Sequence, residues 1–299
     1  MSANVSVVIP LFNKAATVER AVMSAVRQTV QPQLIIVVDD GSTDEGPLRV
    51  ARLSDARVRL LQQPNVGPGA ARNLGVSVAH TPLVGFLDAD DEWKPSFLEH
   101  VHALAARCPE AGIYCTAYEE IRPEDGRPFR HRFRAVPATP GGGIVDDWFA
   151  AMLGFPPVSS SSVVVRREAL NAVGGFPEGE RLAEDWDLWT RLALRYRMAF
   201  DPAVQAVYHR EAEGRLMHTQ RYDGRDTPLV RTLTAALKRG DIPTAPARSV
   251  RRFLAKHQLE IAKDCLARGD RILARQWIAR SARLGVLLPK CARWWWRSR

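Results

Sequence analysis

Short apolar runs alternate with segments of helical periodicity in the N-terminal part of the chain. Five runs have the length and content of buried strands: residues 5–9, 34–38, 58–61, 83–87 and 112–116. Between them, apolar side chains recur three and four positions apart, as expected of helices that bury one face. The predicted helices cover residues 15–28 and 69–79 and two segments that Pro47 and Pro95 open. This alternation predicts an α/β fold with a mostly parallel sheet flanked by helices on both faces.

Polar residues cluster where three of these strands end. The clusters are residues 10–13 after the first strand, 39–44 after the second and 88–92 after the fourth. Ligands of such sheets bind at the carboxyl ends of the strands. The three clusters therefore predict one binding site at this edge of the sheet.

The second part of the chain is less regular. Residues 119–143 are rich in proline, glycine and arginine with little periodicity, which predicts a long loop or flap. Further elements are predicted at residues 148–153 (helix), 162–166 (strand) and 184–196 (helix), with another helix that runs from the strand into Gly174-Gly175. The last 75 residues are predicted to be helical, which divides the chain into residues 1–224 and a helical region at 225–299.

Charge separates the same two regions. The 299 residues are 46% hydrophobic and 25% charged, which is typical of a globular protein. Residues 225–299 hold 18 Lys/Arg and 5 Asp/Glu, whereas the rest of the chain holds 24 and 28, so the net charge of +9 comes from the C-terminal quarter. This asymmetry indicates an anionic partner such as a membrane surface, a nucleic acid or an acidic protein.

No segment of the sequence is long and apolar enough for a membrane span, and the N-terminus lacks the pattern of a signal peptide. The four cysteines show no C-x-x-C spacing. These features lead us to expect reduced thiols in a cytoplasmic protein.

The acidic cluster in "FLDADDEWKP" has several interpretations. Asp88, Asp90, Asp91 and Glu92 repel one another unless a cation or a shared task offsets the repulsion. They could form a solvated loop or a nuclease-like metal cluster, whereas a calcium loop of the EF-hand type would need glycine where Trp93 stands. Asp-x-Asp at a strand end also suits a divalent ion carried on a bound diphosphate, since Mg²⁺ is commonly held by one or two carboxylates and substrate phosphates.

The glycine-containing stretch "GPGAARNLG" does not fit the common nucleotide loops. Arg72 occupies the place of the third glycine in a dinucleotide fingerprint, and the chain contains no Gly-Lys-Ser/Thr. NAD binding and ATP hydrolysis are therefore poorly supported. Arg72 is interpreted as a cation near phosphates, or alternatively as a solvated helix residue.

Four segments in order carry a family resemblance. They contain "VSVVIPLFN", "IIVVDDGSTD", "FLDADDEWKP" and "GGFPEGERLAEDWDLWTRL", and together they resemble the family 2 glycosyltransferases. These are inverting, nucleotide-sugar-dependent enzymes of the Rossmann-like GT-A fold. The resemblance covers residues 5–208 and implies a GT-A domain at 1–224, with a nucleotide-binding part at 1–118 and an acceptor part at 119–224.

The resemblance implies a nucleotide pocket and, within it, separate tasks. Its residues would be Pro10, Phe12, Asn13, Asp39, Asp40, Arg72 and Asp88. Asp40 would accept a hydrogen bond from the base, with Asp39 beside it, and Asp88 would face the ribose.

A divalent cation, Mg²⁺ or Mn²⁺, is the cofactor that the resemblance implies. Asp90 would be its direct ligand, and Asp88 and the adjacent Asp91 are further candidates. His209 is an additional candidate ligand, and His218 is an alternative to it.

The resemblance assigns the general base to Asp185 in "AEDWD", with Glu184 in support. A carboxylate there would take the proton of an acceptor hydroxyl. The alternative is an acidic helix start that only complements the helix dipole.

The expected function is transfer of a sugar from a nucleoside-diphosphate sugar, UDP-linked by the resemblance, to a hydroxyl of a sugar, lipid-linked or other acceptor. Surface polysaccharide or glycolipid synthesis is the expected setting. The alternatives are a nucleotide-sugar binding protein without turnover and a nucleotidyltransferase, although "PLFNKAAT" is not the glycine-rich loop that the latter would need.

The basic C-terminus also has two compatible interpretations. Trp294, Trp295 and Trp296 stand between arginines, as in an interfacial anchor on the inner face of the cytoplasmic membrane. Alternatively, residues 225–299 form a helical subdomain that packs on the catalytic domain. Nucleic acid is not an expected partner.

Overall fold

The computed structural model describes residues 2–180, 182–210, 222–242 and 246–298. One sheet contains the strands β1 (Ser2–Leu11), β2 (Gln31–Asp39), β3 (Val58–Gln62), β4 (Leu83–Phe86), β5 (Glu92–Trp93), β6 (Ala111–Ile121), β7 (Pro128–Arg130), β8 (Gly143–Ile144), β9 (Val163–Arg166) and β10 (Arg197–His209). The strand order is β3-β2-β1-β4-β9-β6-β10-β5. The predicted α/β fold is therefore confirmed.

The two halves of the sheet differ in direction. β3, β2, β1 and β4 are mutually parallel, as the strand–helix alternation predicts. β9 then runs antiparallel to both β4 and β6, and β6 is again parallel to β10. The sequence does not indicate β10, because Arg197, Asp201 and Gln205 interrupt its apolar pattern. In the structure, the register of β10 against β6 shifts three times.

Helices cover both faces of the sheet. They are α1 (Val18–Val26), α2 (Gly46–Ala51), α3 (Pro68–Val78), α4 (Phe97–Arg107), α5 (Trp148–Ala151), α6 (Arg167–Val173), α7 (Glu184–Ala193), α8 (Pro228–Arg239), α9 (Ala247–Ala267), α10 (Arg271–Arg283) and α11 (Leu288–Arg297). Successive side chains of β1 point to opposite faces, so Val8 joins one hydrophobic cluster while Val7 and Ile9 join the other. Each face of the central strands thus has its own core.

The predicted loop at residues 119–143 is partly ordered into strands. β6 continues to Ile121, and β7 folds back against it with Glu119 opposite Arg130. At the other end of the segment, Gly143 in β8 pairs with Phe200 in β10. The segment therefore extends the sheet at both of its ends.

The C-terminal helices pack on the sheet domain. Leu229 and Leu233 of α8 belong to the same buried cluster as Val8 of the central strand. The Phe253 ring of α9 meets Trp148 edge-on, with the two ring centroids 5.8 Å apart. Helices α8 to α10 thus share a core with the sheet, as the interpretation of a packed subdomain requires.

Substitution of Gly75 tests the contact between α3 and β1. A Cβ on Gly75 would lie 2.3 Å from Cγ1 of Val8, which is fully buried. Exposed glycine-to-alanine changes in helices stabilise by about 0.5–1 kcal/mol. Here overpacking reverses the sign, and we expect Gly75→Ala to lower the free energy of unfolding by about 1–3 kcal/mol in urea titrations.

Ser77→Ala on the exposed side of α3 is the control and should change the free energy of unfolding by less than about 0.5 kcal/mol. Adding Val8→Ala to Gly75→Ala should cost less than the two changes made separately, because each relieves the other's packing fault. A stabilised Gly75→Ala variant would contradict the close approach.

Candidate active site

The polar ends of β1 and β2 are joined by hydrogen bonds. Leu11 is paired with Asp39 in the sheet, and the Asn13 amide donates to Ser42 Oγ at 3.0 Å. The Thr43 amide in turn donates to Asn13 Oδ1 at 2.8 Å. Asn13 has a positive φ of 50°, which asparagine tolerates better than most residues. The predicted meeting of these two clusters at one sheet edge is confirmed.

Phe12 and Pro10 lie on the same edge. Phe12 keeps 43% of its surface exposed, although it directly follows the buried Leu11. Pro10 is half-buried at the end of the strand. An exposed aromatic ring at this position offers a flat surface on which a planar group could stack.

Asp39 and Asp40 are nearly inaccessible, with 3% of each exposed. The Asp40 carboxylate accepts from the amides of Val66 and Gly67, both at 2.9 Å. Asp39 Oδ1 accepts from the Ser42 amide at 2.9 Å. Both aspartates therefore hold the loops that lead into the site. The sequence motif gives no indication of this role for Asp40, since Val66 and Gly67 are distant in the chain.

Three carboxylates meet after β4. Asp88, Asp90 and Asp91 each offer one oxygen, and these oxygens all lie within 4.8 Å of one another. Oxygen ligands of this kind are those that Mg²⁺ and Mn²⁺ prefer. The donor set thus fits the predicted cation. Within the part of the chain that the structure describes, the cluster does not include His209, and His218 lies outside that part.

Asp91 is fully buried and accepts hydrogen bonds from two segments that are distant in the chain. Its Oδ2 accepts from Ser161 Oγ at 2.6 Å, and its Oδ1 accepts from the His209 amide at 3.1 Å. The amide of Asp88 also donates to Ser161 Oγ, at 3.1 Å. The His209 ring lies 3.2 Å from Glu92, and its hydrogen bond lowers the Glu92 pKa. Ser161, which the sequence does not indicate, thus orders the acidic loop.

A lysine already pairs with the cluster. Lys14 Nζ lies 2.9 Å from Asp90 Oδ2, and 14% and 10% of the two side chains are exposed. Arg20 on α1 donates to the Asp90 main-chain oxygen at 2.6 Å. Two basic side chains therefore contact Asp90, and the motif around Lys14 does not indicate this.

Arg72 is buried between two acids. Its Nη2 lies 2.7 Å from Asp88 Oδ1 and its Nη1 lies 3.2 Å from Glu184 Oε1, with 6% of the side chain exposed. The guanidinium also lies over the Phe176 ring, 5.3 Å from its centroid. Burial alone would lower the Arg72 pKa, but the charges of Asp88, Glu184 and Asp185 together raise it. The interpretation of Arg72 as a solvated helix residue is therefore wrong.

Asp185 stands in the first turn of α7. Its Oδ1 accepts from the Trp186 amide at 2.7 Å, and Ser160 Oγ donates to its Oδ2 at 3.3 Å. Burial raises the Asp185 pKa to about 7, Glu184 acts in the same direction, and Arg72 opposes them. A carboxylate with this pKa can accept a proton near neutral pH. The role of Asp185 as a base stays a prediction, as does the alternative that this acidic helix start only complements the helix dipole.

The C-terminal helices hold α7 in place. Thr232 Oγ1 on α8 donates to Asp187 Oδ1 at 2.6 Å. The Trp186 ring stacks on Phe253 of α9, with the centroids 6.0 Å apart and the planes 5° from parallel. In both contacts, the two partners are far apart in the sequence. The position of Asp185 therefore depends on residues beyond the sheet domain.

Comparison with known proteins identifies the class of this fold and site. The family model described as glycosyl transferase family 2 matches residues 6–174, more than half of the chain. The chain belongs to this family.

Curated relatives agree with the family. The succinoglycan biosynthesis protein ExoO of Rhizobium meliloti (strain 1021) is 30% identical over 243 residues, which cover 76% of this chain and 66% of ExoO. An uncharacterized glycosyltransferase, alr2836, of Nostoc sp. is 30% identical over 205 residues, or 66% of this chain and 59% of that protein. The matched part thus spans about two thirds or less of the length of these relatives.

Solved structures support the GT-A fold. Residues 1–349 of S. aureus TarS, crystallised with UDP-GlcNAc, superpose with a TM-score of 0.69 at 19% identity. The match covers 93% of this chain and 79% of that one. At this identity, the similarity concerns the fold.

Removal of Arg72 tests the buried ion pairs. Arg72→Met leaves Asp88 and Glu184 as neighbouring acids without their shared cation. We expect the free energy of unfolding to fall by about 3–5 kcal/mol, measured by urea denaturation at pH 7.

Arg195→Met, which removes an exposed arginine just after α7, is the matched control and should have little effect. Adding Glu184→Gln to Arg72→Met should recover part of the loss, because one buried charge is removed with its partner. Equal stability of Arg72→Met and Arg195→Met would disprove the importance of the pairs.

Proposed function

We propose that this protein transfers a sugar from a nucleoside-diphosphate sugar to an acceptor hydroxyl with inversion of the anomeric carbon. One observation carries the proposal: Arg72 joins the loop of the three aspartates to the start of α7, where Asp185 has a raised pKa. A site for the diphosphate and a base for the acceptor thus share one buried cation. Proton acceptance at neutral pH favours turnover over nucleotide-sugar binding alone.

The donor nucleotide would bind at the ends of β1 and β2. Phe12, Pro10 and Asn13 would line the base and ribose, and Asp40 would accept from the base while still holding its loop. Arg72 would lie near the nucleotide. A UDP-linked donor is supported by the TarS complex with UDP-GlcNAc, a protein of the same fold.

The cation would be held by Asp90, with Asp88 as a second ligand facing the ribose. Asp91, whose two oxygens accept hydrogen bonds from Ser161 and His209, would keep the loop in position. A bound divalent ion would supply charge stabilisation to the diphosphate. Lys14, beside Asp90, adds positive charge at the same place.

Asp185 would act as the base in a single displacement. The acceptor oxygen bonds to the anomeric carbon while the bond from that carbon to the diphosphate oxygen breaks. The hydroxyl proton passes to the Asp185 carboxylate, which Ser160 and the Trp186 amide orient. Residues 1–118 would thus serve the donor and residues 119–224 the acceptor.

The setting would be polysaccharide or glycolipid synthesis at the inner face of the cytoplasmic membrane. ExoO, a relative, is named for succinoglycan biosynthesis. Trp296 and Trp295 of α11 expose 75% and 39% of their surface beside basic residues, which suits a peripheral contact with lipid headgroups. No helix among the described residues is long and apolar enough to cross a bilayer.

The pH dependence tests the base. Because Asp185 must be deprotonated to accept a proton, kcat/KM for transfer should fall about tenfold per unit as the pH drops below about 7, and should level off above it. Asp185→Asn should lower kcat by about 10²–10⁴-fold and remove this limb of the profile.

Nucleoside-diphosphate binding by Asp185→Asn, measured by calorimetry, should match that of the natural protein. Asp146→Asn, an exposed aspartate just before α5, is the control and should keep the profile. Normal turnover by Asp185→Asn would refute the assignment of the base.

Chelation and replacement of Asp90 test the cation. We expect EDTA to abolish sugar transfer and Mn²⁺ or Mg²⁺ to restore it. Asp90→Asn should bind UDP with at least about tenfold lower affinity in the presence of Mn²⁺, since it loses a charged ligand. The exposed Asp125→Asn should bind normally. Full activity without divalent ions would exclude the proposed role.

A further inference from the structure

We infer that a cavity between α9 and α11 binds the phosphate of an anionic lipid headgroup. The cavity has a volume of about 220 Å³. Four cationic side chains line it, against one acid: Lys256, Lys290, Arg293 and Arg297, with Glu260. This inference deepens the proposed membrane contact and rests on it.

Cations outnumber acids in the lining of this α9–α11 cavity. Lys256 Nζ donates to the main-chain oxygens of Met152, Leu153 and Gly154 at 3.1, 3.2 and 3.3 Å, which fixes it at the cavity wall by neutral acceptors. In the region from 246 to 298, 13 Lys/Arg stand against 3 Asp/Glu. A phosphate oxygen is the natural complement of such a wall, since it accepts from lysine and arginine alike.

An aromatic ring positions the Arg297 side chain at the cavity. Its guanidinium lies over the Trp294 ring, 5.1 Å from the centroid, and Trp294 itself lines the cavity. Leu259 and Leu287 complete the lining with apolar surface. The cavity thus combines cations with an apolar wall, as the junction of a headgroup and its acyl chains requires.

The location of the cavity beside exposed apolar side chains of α11 favours a lipid over a free anion as its ligand. α11 exposes 75% of Trp296 and 52% of Leu288, and both residues are on the helix that forms one wall of the cavity. Tryptophan and basic residues together favour the headgroup level of a bilayer. When these side chains enter that level, the helix that lines the cavity is held at the membrane surface.

The same helix connects the cavity to the active site. α9 carries Lys256 and Glu260 at the cavity, and its Phe253 stacks on Trp186 beside Asp185. His257, one position after Lys256, packs edge-on against Tyr222, with the ring centroids 5.2 Å apart. Binding of a headgroup would therefore set the orientation of the base relative to the membrane surface.

The test compares two double variants of equal charge. Lys290→Gln/Arg293→Gln removes two cations of the cavity, whereas Arg251→Gln/Arg252→Gln removes two exposed cations of α9 outside it. Cosedimentation of the full chain would be measured with vesicles of phosphatidylcholine alone and of phosphatidylcholine with phosphatidylglycerol. We expect the cavity variant to bind the anionic vesicles at least about tenfold more weakly than the control variant does.

Equal losses in the two variants would show diffuse electrostatic attraction only and would overturn the inference. Glycerol 3-phosphate would also be tested as a competitor at matched ionic strength. If it displaced the protein from vesicles and the protein showed no preference for anionic vesicles, the cavity would be a site for a free phosphate ester, and the inference would be overturned. If the cavity variant bound vesicles normally but transferred less sugar to a lipid-linked acceptor, the cavity would be a binding site for the acceptor. That result would overturn the headgroup assignment.

Vesicle binding is measured without a nucleotide sugar. The headgroup inference can therefore be refuted independently of the proposed sugar transfer. Release of UDP from UDP-GlcNAc into water, measured without vesicles, should be the same in both double variants and the natural protein. Near-identical melting temperatures would confirm that both variants are folded. A second cavity variant, Arg297→Gln, should weaken binding to the anionic vesicles in the same direction, and unchanged binding by it would count against the site.

Discussion

The buried guanidinium of Arg72 is the interaction on which the candidate site depends. It contacts Asp88 after β4 and Glu184 at the start of α7, two elements that are nearly 100 positions apart in the chain. Separation of these elements would leave charges buried without partners, which is far costlier than loss of an exposed ion pair. The distance between the aspartate loop and Asp185 is therefore set by charge neutralisation, and packing around Phe176 secures it.

One cation in this place permits two kinds of carboxylate in one site. Asp88 is paired directly with Arg72 at 2.7 Å. For Asp185, burial and the adjacent Glu184 outweigh the influence of Arg72, and its pKa rises to about 7. Carboxylates whose surroundings differ in this way can divide tasks, one group holding positive charge and the other exchanging a proton.

The strand ends show how far the sequence alone is informative. Apolar runs predict the parallel strands, and the rule for ligand sites in such sheets is enough to bring residues 10–13, 39–44 and 88–92 together at one edge. Ser161 and Thr232 could not be predicted, because nothing in the local pattern distinguishes a serine that orders an acidic loop from one on the surface. Their importance arises from strand β9 and helix α8, which long-range folding places beside the site. The role of Asp40 in holding Val66 and Gly67 is hidden for the same reason.

The C-terminal helices extend this dependence from the site to the basic cavity between α9 and α11. Asp187 accepts from Thr232, and Trp186 stacks on Phe253, so α7 is fixed by two helices outside the sheet. The division of the chain at residue 224 remains a prediction, but the two regions share one hydrophobic core. Since α9 reaches from Phe253 to the basic cavity, any constraint on that cavity acts on the helix that supports Asp185. Because close-packed aromatic rings leave little room for independent movement, a contact at the cavity would fix the orientation of Asp185 without a conformational change.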